Sequence, residues 1–369
     1  MPVGELVIIS AGVHVDIADD IPAGALLVNT PDVLKNFGKY QELIQAARPG
    51  FKMQDSGGYQ IFLKENKAGI QMTFNDDEEF CMTSKKFNIG PRHVVDLARR
   101  IVPDIVVALD FPISKLTGDA EQRFEFFRKL PFNKRWALKT SELMIQRGLD
   151  TNKLFIPVQC YNVPQFEIFY RLIAGCAFGG MSMPVRNLKL NAILEFLLKM
   201  HEHGLTRVHL LGTTAAKTIT LSAYMARHFF QWISLDSTTW RLAADNKKYL
   251  ASADLRALNV GQKDPIDRST VITCQCNWCR YYQNFGSIID MESRLKSGFL
   301  YRHNFMATQR FARNAYVRAG SAASLVEFVD CNFHNRSIAN ETINVVRKAE
   351  QFIRNIGGTT DAGSRCMVV

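Results

Sequence analysis

Seven short apolar runs recur along the chain, and they constrain the fold more than any other feature. Helical-looking segments separate them, and many of the runs end in a small or acidic residue. Near-continuous apolar runs of this kind are typical of parallel strands that are covered on both faces. The runs are LLVNT (26–30), FKMQDSGG (51–58), DIVVALD (104–110), LFIPVQC (154–160), CAFGGM (176–181), RVHLLGT (207–213) and WISLDS (232–237).

The alternation of strands and helices predicts an α/β fold with a parallel sheet. Seven such units favour a closed (β/α)8 TIM-like barrel, and no G-x-G-x-x-G supports the dinucleotide-binding alternative. From about residue 270 the chain becomes cysteine-containing, basic and aromatic-rich. We therefore predict a catalytic barrel over 1–270, and over 271–369 an inserted or appended zinc-binding subdomain with C-terminal helices that complete the barrel.

Composition and charge narrow the class of protein. Apolar residues make up 47% of the chain, enough to bury a large core. The net charge of +10 and the pI near 9.2 indicate a polyanionic partner such as nucleic acid, although a merely basic enzyme fits equally well. No run approaches the roughly 18 apolar residues of a membrane span, and the N-terminus does not read as a secretory signal. We expect a cytoplasmic protein without membrane contact.

Polar residues at the predicted strand ends point to catalysis. In a barrel the carboxyl ends of the strands face the active site. Two carboxylates there suit chemistry at an anomeric carbon, where one attacks and the other moves protons, but a single strand-end Asp more often caps a helix. An amide and a Gly-Gly pair would read the edge of a flat heterocycle. The residues in question are Asp55, Asp110, Gln159, Gly179, Gly180, Gly212 and Asp236.

The stretch TCQCNWC supplies three closely spaced thiols. Cys274, Cys276 and Cys279 form a C-x-C-x-x-C pattern, and His303 lies downstream in a helical region. Three thiolates and one imidazole make the closed tetrahedral set of a structural zinc site. On spacing alone, three other histidines remain rivals for the fourth ligand: His201, His203 and His209.

In their order along the chain, these motifs resemble the tRNA-guanine transglycosylase superfamily, from about residue 50 to about 310. The motifs are DSGGYQ, ALDFP, PVQC, FGGM, LLG, LDS and the C-x-C-x-x-C with its downstream His-Asn. The resemblance implies a zinc-containing barrel that exchanges guanine for a 7-deazaguanine.

The resemblance also implies roles for individual residues. Asp236 matches the nucleophile and Asp110 the general acid/base. Cys274, Cys276, Cys279 and His303 match the zinc ligands, which selects His303 among the histidines. The base-binding positions that it implies are Asp55, Ser56, Gly57, Gly58, Glu142, Gln159, Gly179, Gly180 and Met181.

The sequence departs from the tRNA enzymes after the predicted nucleophile. Bacterial tRNA enzymes continue into a Pro-Thr-Arg and Asn-Gly loop, whereas this chain reads DSTTWRLAADNKKY. We also expect no C-terminal RNA-binding extension of the kind that archaeal relatives carry. A third branch, which modifies DNA in bacteria and phages, fits best, so we favour DNA over tRNA and expect a bacterial or phage-infected cytoplasm. The resemblance is compatible with a homodimer.

The sequence also predicts phosphate contacts and leaves two alternative functions open. Basic side chains of RKLPFNKR, Lys247–Lys248 and RFARNAYVR are predicted to hold phosphates, although solvated helix faces are the alternative for any one of them. A catalytically silent relative would bind nucleic acid without exchanging a base. A hydrolase that uses zinc directly is the other rival, and it would require an open zinc position.

Overall fold

The structure is a computed structural model that describes residues 4–13, 24–58, 71–74, 80–83, 89–186 and 188–363. Eight parallel strands close into a barrel, which confirms the predicted (β/α)8 TIM-like fold. In chain order they are β1 Glu5–Ser10, β2 Ala25–Asn29, β3 Phe51–Asp55, β6 Ile105–Val107, β7 Leu154–Pro157, β8 Gly180–Pro184, β9 Arg207–Leu211 and β10 Trp232–Ser237; around the barrel the order is β1-β10-β9-β8-β7-β6-β3-β2.

Two antiparallel hairpins lie outside the barrel. They pair β4 Gln71–Phe74 with β5 Phe80–Thr83, and β11 Lys248–Leu250 with β12 Ala257–Asn259. The first interrupts the chain between β3 and β6. The second follows β10 and leads towards the cysteines.

Helices follow most barrel strands and cover the outside of the barrel. Their starts carry recognisable signals: Pro91 opens one helix, and the Asn162 side chain caps another by accepting from the Gln165 amide at 3.1 Å. The helices are α1 Thr30–Lys35, α2 Phe37–Ala47, α3 Pro91–Ile101, α4 Asp119–Gln146, α5 Val163–Leu172, α6 Leu190–Glu202, α7 Ala216–His228, α8 Thr239–Asp245, α9 Phe285–Ile289, α10 Ser293–Arg318, α11 Ala322–Asn332 and α12 Arg336–Gly363.

Apolar packing fills most of the barrel interior, chiefly towards the amino-terminal ends of the strands. The inward side chains there are buried against one another, and each large one contributes about 2 kcal/mol on burial. A separate, larger cluster lies between the strands and the helices. The interior set is Ile9, Ala25, Met53, Ile105, Val107, Phe155 and Trp232. The polar side chains of the interior therefore lie in its middle layer and at the opposite mouth.

The last helices return to the barrel wall. Helix α10 packs on α7, α8 and β1, while α12 packs on α6 and α7. The apolar cluster around the three cysteines includes Tyr249 and Val260 as well as Phe299 and Leu300, so it draws on residues from both sides of position 270. The division of the chain at that position stays a prediction. No described helix has the length and apolarity needed to cross a membrane.

Candidate active site and metal centre

The ends of four strands bring polar side chains to one rim of the barrel. Asp55 is the last residue of β3, and Asp236 is the fifth residue of β10. Asp110 and Gln159 follow β6 and β7 by three and two residues. Because all eight strands are parallel, their carboxyl ends meet at the same mouth. The predicted carboxylates and the amide are therefore brought together.

Hydrogen bonds hold Asp110 on both of its oxygens. The Ser56 hydroxyl donates to Oδ1 at 2.7 Å, and the Gln159 amide donates to Oδ2. Gln159 is fixed in turn, since its Oε1 accepts from the Ile113 amide at 3.1 Å. The carboxylate is 6% exposed, so its hydrogen bonds stand in for lost water. This arrangement presents a fixed acceptor edge to a ligand.

The two glycines of DSGG have separate structural causes. Gly57 adopts a φ of +93°, and a Cβ there would lie 2.5 Å from the Pro31 ring. A Cβ on Gly58 would overlap Oδ1 of Asp110. The turn therefore needs one glycine for its backbone conformation and the next for its approach to the carboxylate. Tyr59 and Gln60, which complete the motif, lie outside the described residues.

Helix α4 fixes the loop that follows Asp110. The Phe111 amide donates to the Asn133 side chain at 2.7 Å, and the Ser114 hydroxyl donates to Glu125 at 2.7 Å. Lys129 pairs with Glu125 at 3.0 Å and is fully buried. This residue, part of the predicted phosphate-binding RKLPFNKR, therefore supports the loop and does not face solvent. Sequence analysis missed the supporting role of all three helix residues.

Asp236 is held through its Oδ1 atom. The Gly212 amide donates to this oxygen at 2.9 Å, and Nε2 of His209 lies 3.2 Å from it. The other ring nitrogen of His209 lies 2.6 Å from the Ser234 hydroxyl. His209 was considered only as a rival zinc ligand. The alternation of β9 in the sequence predicts that His209 faces the barrel interior. Val208 and Leu210 on either side of it face the helices, and successive side chains of a strand point to opposite faces.

Burial and mutual repulsion change the charges at the mouth. Burial, together with the charges of Asp110 and Asp236, raises the pKa of Asp55 to about 7. Burial also raises the pKa of Asp110 to about 6, against the opposing effect of the hydrogen bonds from Ser56 and Gln159. Two carboxyl groups thus change protonation state close to neutral pH, as acid/base chemistry requires.

The structure does not bring Gly179, Gly180 and Met181 to the mouth, so their predicted position there is wrong. Gly180 begins β8 instead of ending it and is in register with Phe155, in the apolar layer at the opposite end. A Cβ on Gly180 would lie 2.6 Å from the Phe155 ring, and one on Gly179 would overlap the Asn152 carbonyl. Met181 is buried between strands and helices. The glycines allow close packing and do not border the site.

Glu142 also lies away from the mouth. Helix α4 starts at the mouth and runs back along the barrel, so its last turns lie at the amino-terminal end of the strands. There Glu142 is exposed, pairs with Lys139 at 3.2 Å and accepts from the Gln146 amide at 2.7 Å. The prediction that it contacts the base is therefore not supported by its position.

The four predicted zinc ligands converge in a buried cluster. Their ligand atoms all lie within 4.8 Å of one another. Nδ1 of His303 is 3.1 Å from Cys279 Sγ and 3.6 Å from Cys276 Sγ, while its Nε2 donates to the Leu250 carbonyl at 2.8 Å. That second hydrogen bond orients the ring with Nδ1 towards the thiols, as is usual for a metal-bound histidine. Three soft thiolates and one imidazole fit a closed, structural zinc site.

A parallel barrel with carboxylates at its mouth and a closed Cys3His cluster defines a zinc-containing (β/α)8 enzyme. The family model described as queuine tRNA-ribosyltransferase matches residues 25–329. The chain belongs to this family, whose members are pentosyltransferases that act on guanine in nucleic acid. Among curated proteins, no sequence matches the chain.

Loss of the metal should unfold part of the protein. We expect Cys276→Ser to bind less than one zinc per chain and to lower Tm by roughly 10 °C or more, because the cluster loses its central cross-link. Elemental analysis and thermal unfolding would measure both. The matched control is Cys331→Ser, which alters an exposed thiol. A Cys276→Ser protein that keeps its Tm but loses all activity would instead indicate a catalytic metal.

The raised pKa of Asp55 should make stability depend on pH. The folded state binds this proton more tightly than the unfolded state, whose pKa is near 3.8. Raising the pH from 4 to 7 therefore destabilises the wild type. We expect Asp55→Asn to remove this loss, so that its Tm advantage over the wild type grows across that interval and then levels off. Glu42→Gln, on an exposed part of α2, serves as the control; a pH-independent difference for Asp55→Asn would contradict the shift.

Proposed function

We propose that this protein exchanges guanine in DNA for a 7-deazaguanine, 7-cyano-7-deazaguanine or a derivative, through a covalent intermediate on Asp236. The observation that carries the proposal is the set of three carboxyl groups at one barrel mouth, two of them with pKa values near neutrality. Carboxylate pairs of this kind act on anomeric carbons by forming and then resolving a glycosyl–enzyme ester. Family membership supports guanine transglycosylase activity on nucleic acid.

In the first half of the reaction, Asp236 attacks C1′ of a guanosine residue. The new bond joins a carboxylate oxygen to C1′, the C1′–N9 bond breaks, and its electron pair leaves with guanine. Since C1′ is inaccessible inside a duplex, the nucleotide must be turned out of the stack into the mouth. In the second half, the incoming base attacks C1′ and releases Asp236. Two inversions at C1′ restore the original configuration.

The geometry supports a division of labour between the other two carboxyl groups. Both oxygens of Asp110 accept hydrogen bonds from the protein, which suits a fixed acceptor for the N–H groups on the guanine edge. A 7-deazaguanine keeps that same edge, so one site serves both bases. Asp55 has a pKa that is also raised towards neutrality, and within the described residues its carboxyl oxygens accept from no side chain, so it is the better group to protonate departing guanine and to accept the proton of the incoming base. This proposal moves the acid/base role predicted for Asp110 to Asp55.

The segment after the nucleophile supports DNA as the substrate. In the tRNA enzymes that the sequence resembles, this segment forms an anticodon-gripping loop. Here it forms α8, in which Trp240 is 3% exposed and packs on Phe305 with ring centroids 5.6 Å apart. A segment committed to the core is poorly placed to grip a stem-loop. The same base exchange on tRNA is the alternative.

Basic side chains near this segment support contacts with nucleic-acid phosphates. Lys247, Lys248 and Lys263 line a shallow cavity of about 580 Å³ just beyond α8. On α10, the predicted group RFARNAYVR exposes Arg310, Arg313 and Arg318. Exposed lysine and arginine side chains bind backbone phosphates without reading sequence.

The two rival functions fit the site less well. A silent nucleic-acid-binding relative has no use for three carboxyl groups packed together, an arrangement that costs stability at neutral pH. A zinc hydrolase needs an open coordination position. The cluster offers four buried protein ligands, Cys274, Cys276, Cys279 and His303, which complete a tetrahedral set.

The direct test is base exchange with the purified, zinc-loaded protein. Labelled guanine and 7-cyano-7-deazaguanine would each be offered with duplex DNA, single-stranded DNA and unmodified tRNA. We expect incorporation into DNA, and a covalent protein–DNA adduct that disappears in Asp236→Ala because the attacking oxygen is gone. Incorporation into tRNA alone would overturn the choice of substrate. No exchange with any substrate, or full activity in Asp236→Ala, would overturn the mechanism.

The division between Asp55 and Asp110 predicts different kinetic defects. We expect Asp55→Asn to lower kcat by about 10²–10⁴-fold, the usual range for loss of an acid/base group, with little change in KM for the base. Asp110→Asn should mainly raise that KM, because its edge contact is lost. Steady-state base exchange would measure both. If Asp55→Asn keeps the wild-type kcat and Asp110→Asn loses it, the acid/base residue is Asp110.

A further inference from the structure

We propose that His209 is a positioning residue that fixes Oδ1 of Asp236, so that Oδ2 is the atom that attacks C1′. The inference rests on the proposed function, because it concerns the nucleophile of that reaction. His209 lies inside the barrel, one layer below the mouth. Its ring has no exposure to solvent, so it does not reach a bound nucleotide and acts only through Asp236.

Strand register builds this arrangement. His209 is the third residue of β9, and its partner on β10 is Ser234. Two positions further along β10, the alternation of the strand places Asp236 on the same inward side as Ser234. The imidazole therefore lies between a hydroxyl and a carboxylate, with Nδ1 at 2.6 Å from Ser234 Oγ and Nε2 at 3.2 Å from Asp236 Oδ1.

The Gly212 amide and the His209 ring approach the same carboxylate oxygen. The Gly212 amide donates to Oδ1 at 2.9 Å, and the φ of +81° at this glycine turns its N–H towards Asp236. His209 Nε2 approaches Oδ1 from within the barrel. Within the described residues, no hydrogen bond ends on Oδ2. Oδ1 is thus bound to the protein, whereas Oδ2 keeps its lone pairs for the sugar.

The Ser234 hydroxyl selects the useful tautomer of His209. If it donates to Nδ1, the ring proton must sit on Nε2 and points to Oδ1. The opposite tautomer would set a lone pair against a carboxylate oxygen, which is repulsive. Within the described residues Nε2 makes no hydrogen bond, although it lies 3.2 Å from Oδ1. Such near contacts in ligand-free sites commonly tighten into hydrogen bonds when the reacting group binds.

Two substitutions of His209 separate its positioning from its packing. In His209→Gln the side-chain amide can place an N–H where Nε2 lies, whereas the shorter His209→Asn reaches only the Nδ1 region. We expect His209→Asn to lower kcat by about 10²-fold, as when one fixed donor to a reacting group is lost, with KM for DNA and base unchanged. His209→Gln should stay within about tenfold of the wild type.

The two serines in register with His209 provide a test and its control. Ser234→Ala should lower kcat in the same direction by freeing the ring tautomer. Ser182 is the register neighbour on β8, is fully buried and has no hydrogen-bond partner for its Oγ within the described residues. Ser182→Ala should leave kcat unchanged. Equal losses of kcat and Tm in His209→Asn and His209→Gln would show a packing role only and overturn the inference.

A spectroscopic measurement separates this inference from the proposed function. In ¹⁵N-histidine-labelled protein without substrate, we expect the His209 ring to carry its proton on Nε2, and to lose that preference in Ser234→Ala. The His209→Gln spectrum assigns the signal. If the wild type exchanges no base, the proposed function fails, and this spectrum still decides the contact. A proton on Nδ1 in the wild type would overturn the positioning role.

Discussion

Burial of three carboxyl groups at one barrel mouth is the constraint on which the site depends. Parallel strands in a closed barrel must bring their carboxyl ends together, so Asp55, Asp110 and Asp236 meet at one mouth. Burial raises the pKa of both Asp55 and Asp110, and for Asp55 the charges of Asp110 and Asp236 act in the same direction. Fixed donors limit the cost of this burial, since Ser56 and Gln159 orient the carboxylate of Asp110 and Gly212 orients that of Asp236.

A Gly-Gly pair lies at each end of the barrel, and the two pairs allow close approach to different neighbours. At the mouth, Gly57 and Gly58 allow a turn to pass against Pro31 and the Asp110 carboxylate. At the other end, Gly179 and Gly180 let β8 begin against the Asn152 backbone and the Phe155 ring. Close approach is the common property. What each pair approaches depends on whether the strand ends or begins there.

Much of the fold and part of the site followed from local patterns. Seven strands were predicted from their apolar runs, but β1, with the short sequence ELVIIS next to the N-terminus, was missed. The cysteine spacing predicted the metal cluster, and strand ends predicted the carboxylates at the mouth. The positions of Gly180 and Glu142 were wrong because strand register and helix direction decide them. His209 was missed because its role appears only when β9 and β10 are paired.

The zinc site and the segment that follows Asp236 are connected through one helix. In α10, His303 binds within the cysteine cluster, and the adjacent Asn304 is fully buried. The Asn304 amide donates to the carbonyls of Trp240 at 3.2 Å and Lys248 at 2.9 Å, and its oxygen accepts from the Leu250 amide at 2.8 Å. These contacts clamp the segment that follows Asp236. The helix that supplies one zinc ligand thus also fixes the chain on the carboxyl side of Asp236, the proposed nucleophile, so a structural zinc site would support the catalytic geometry without touching the substrate.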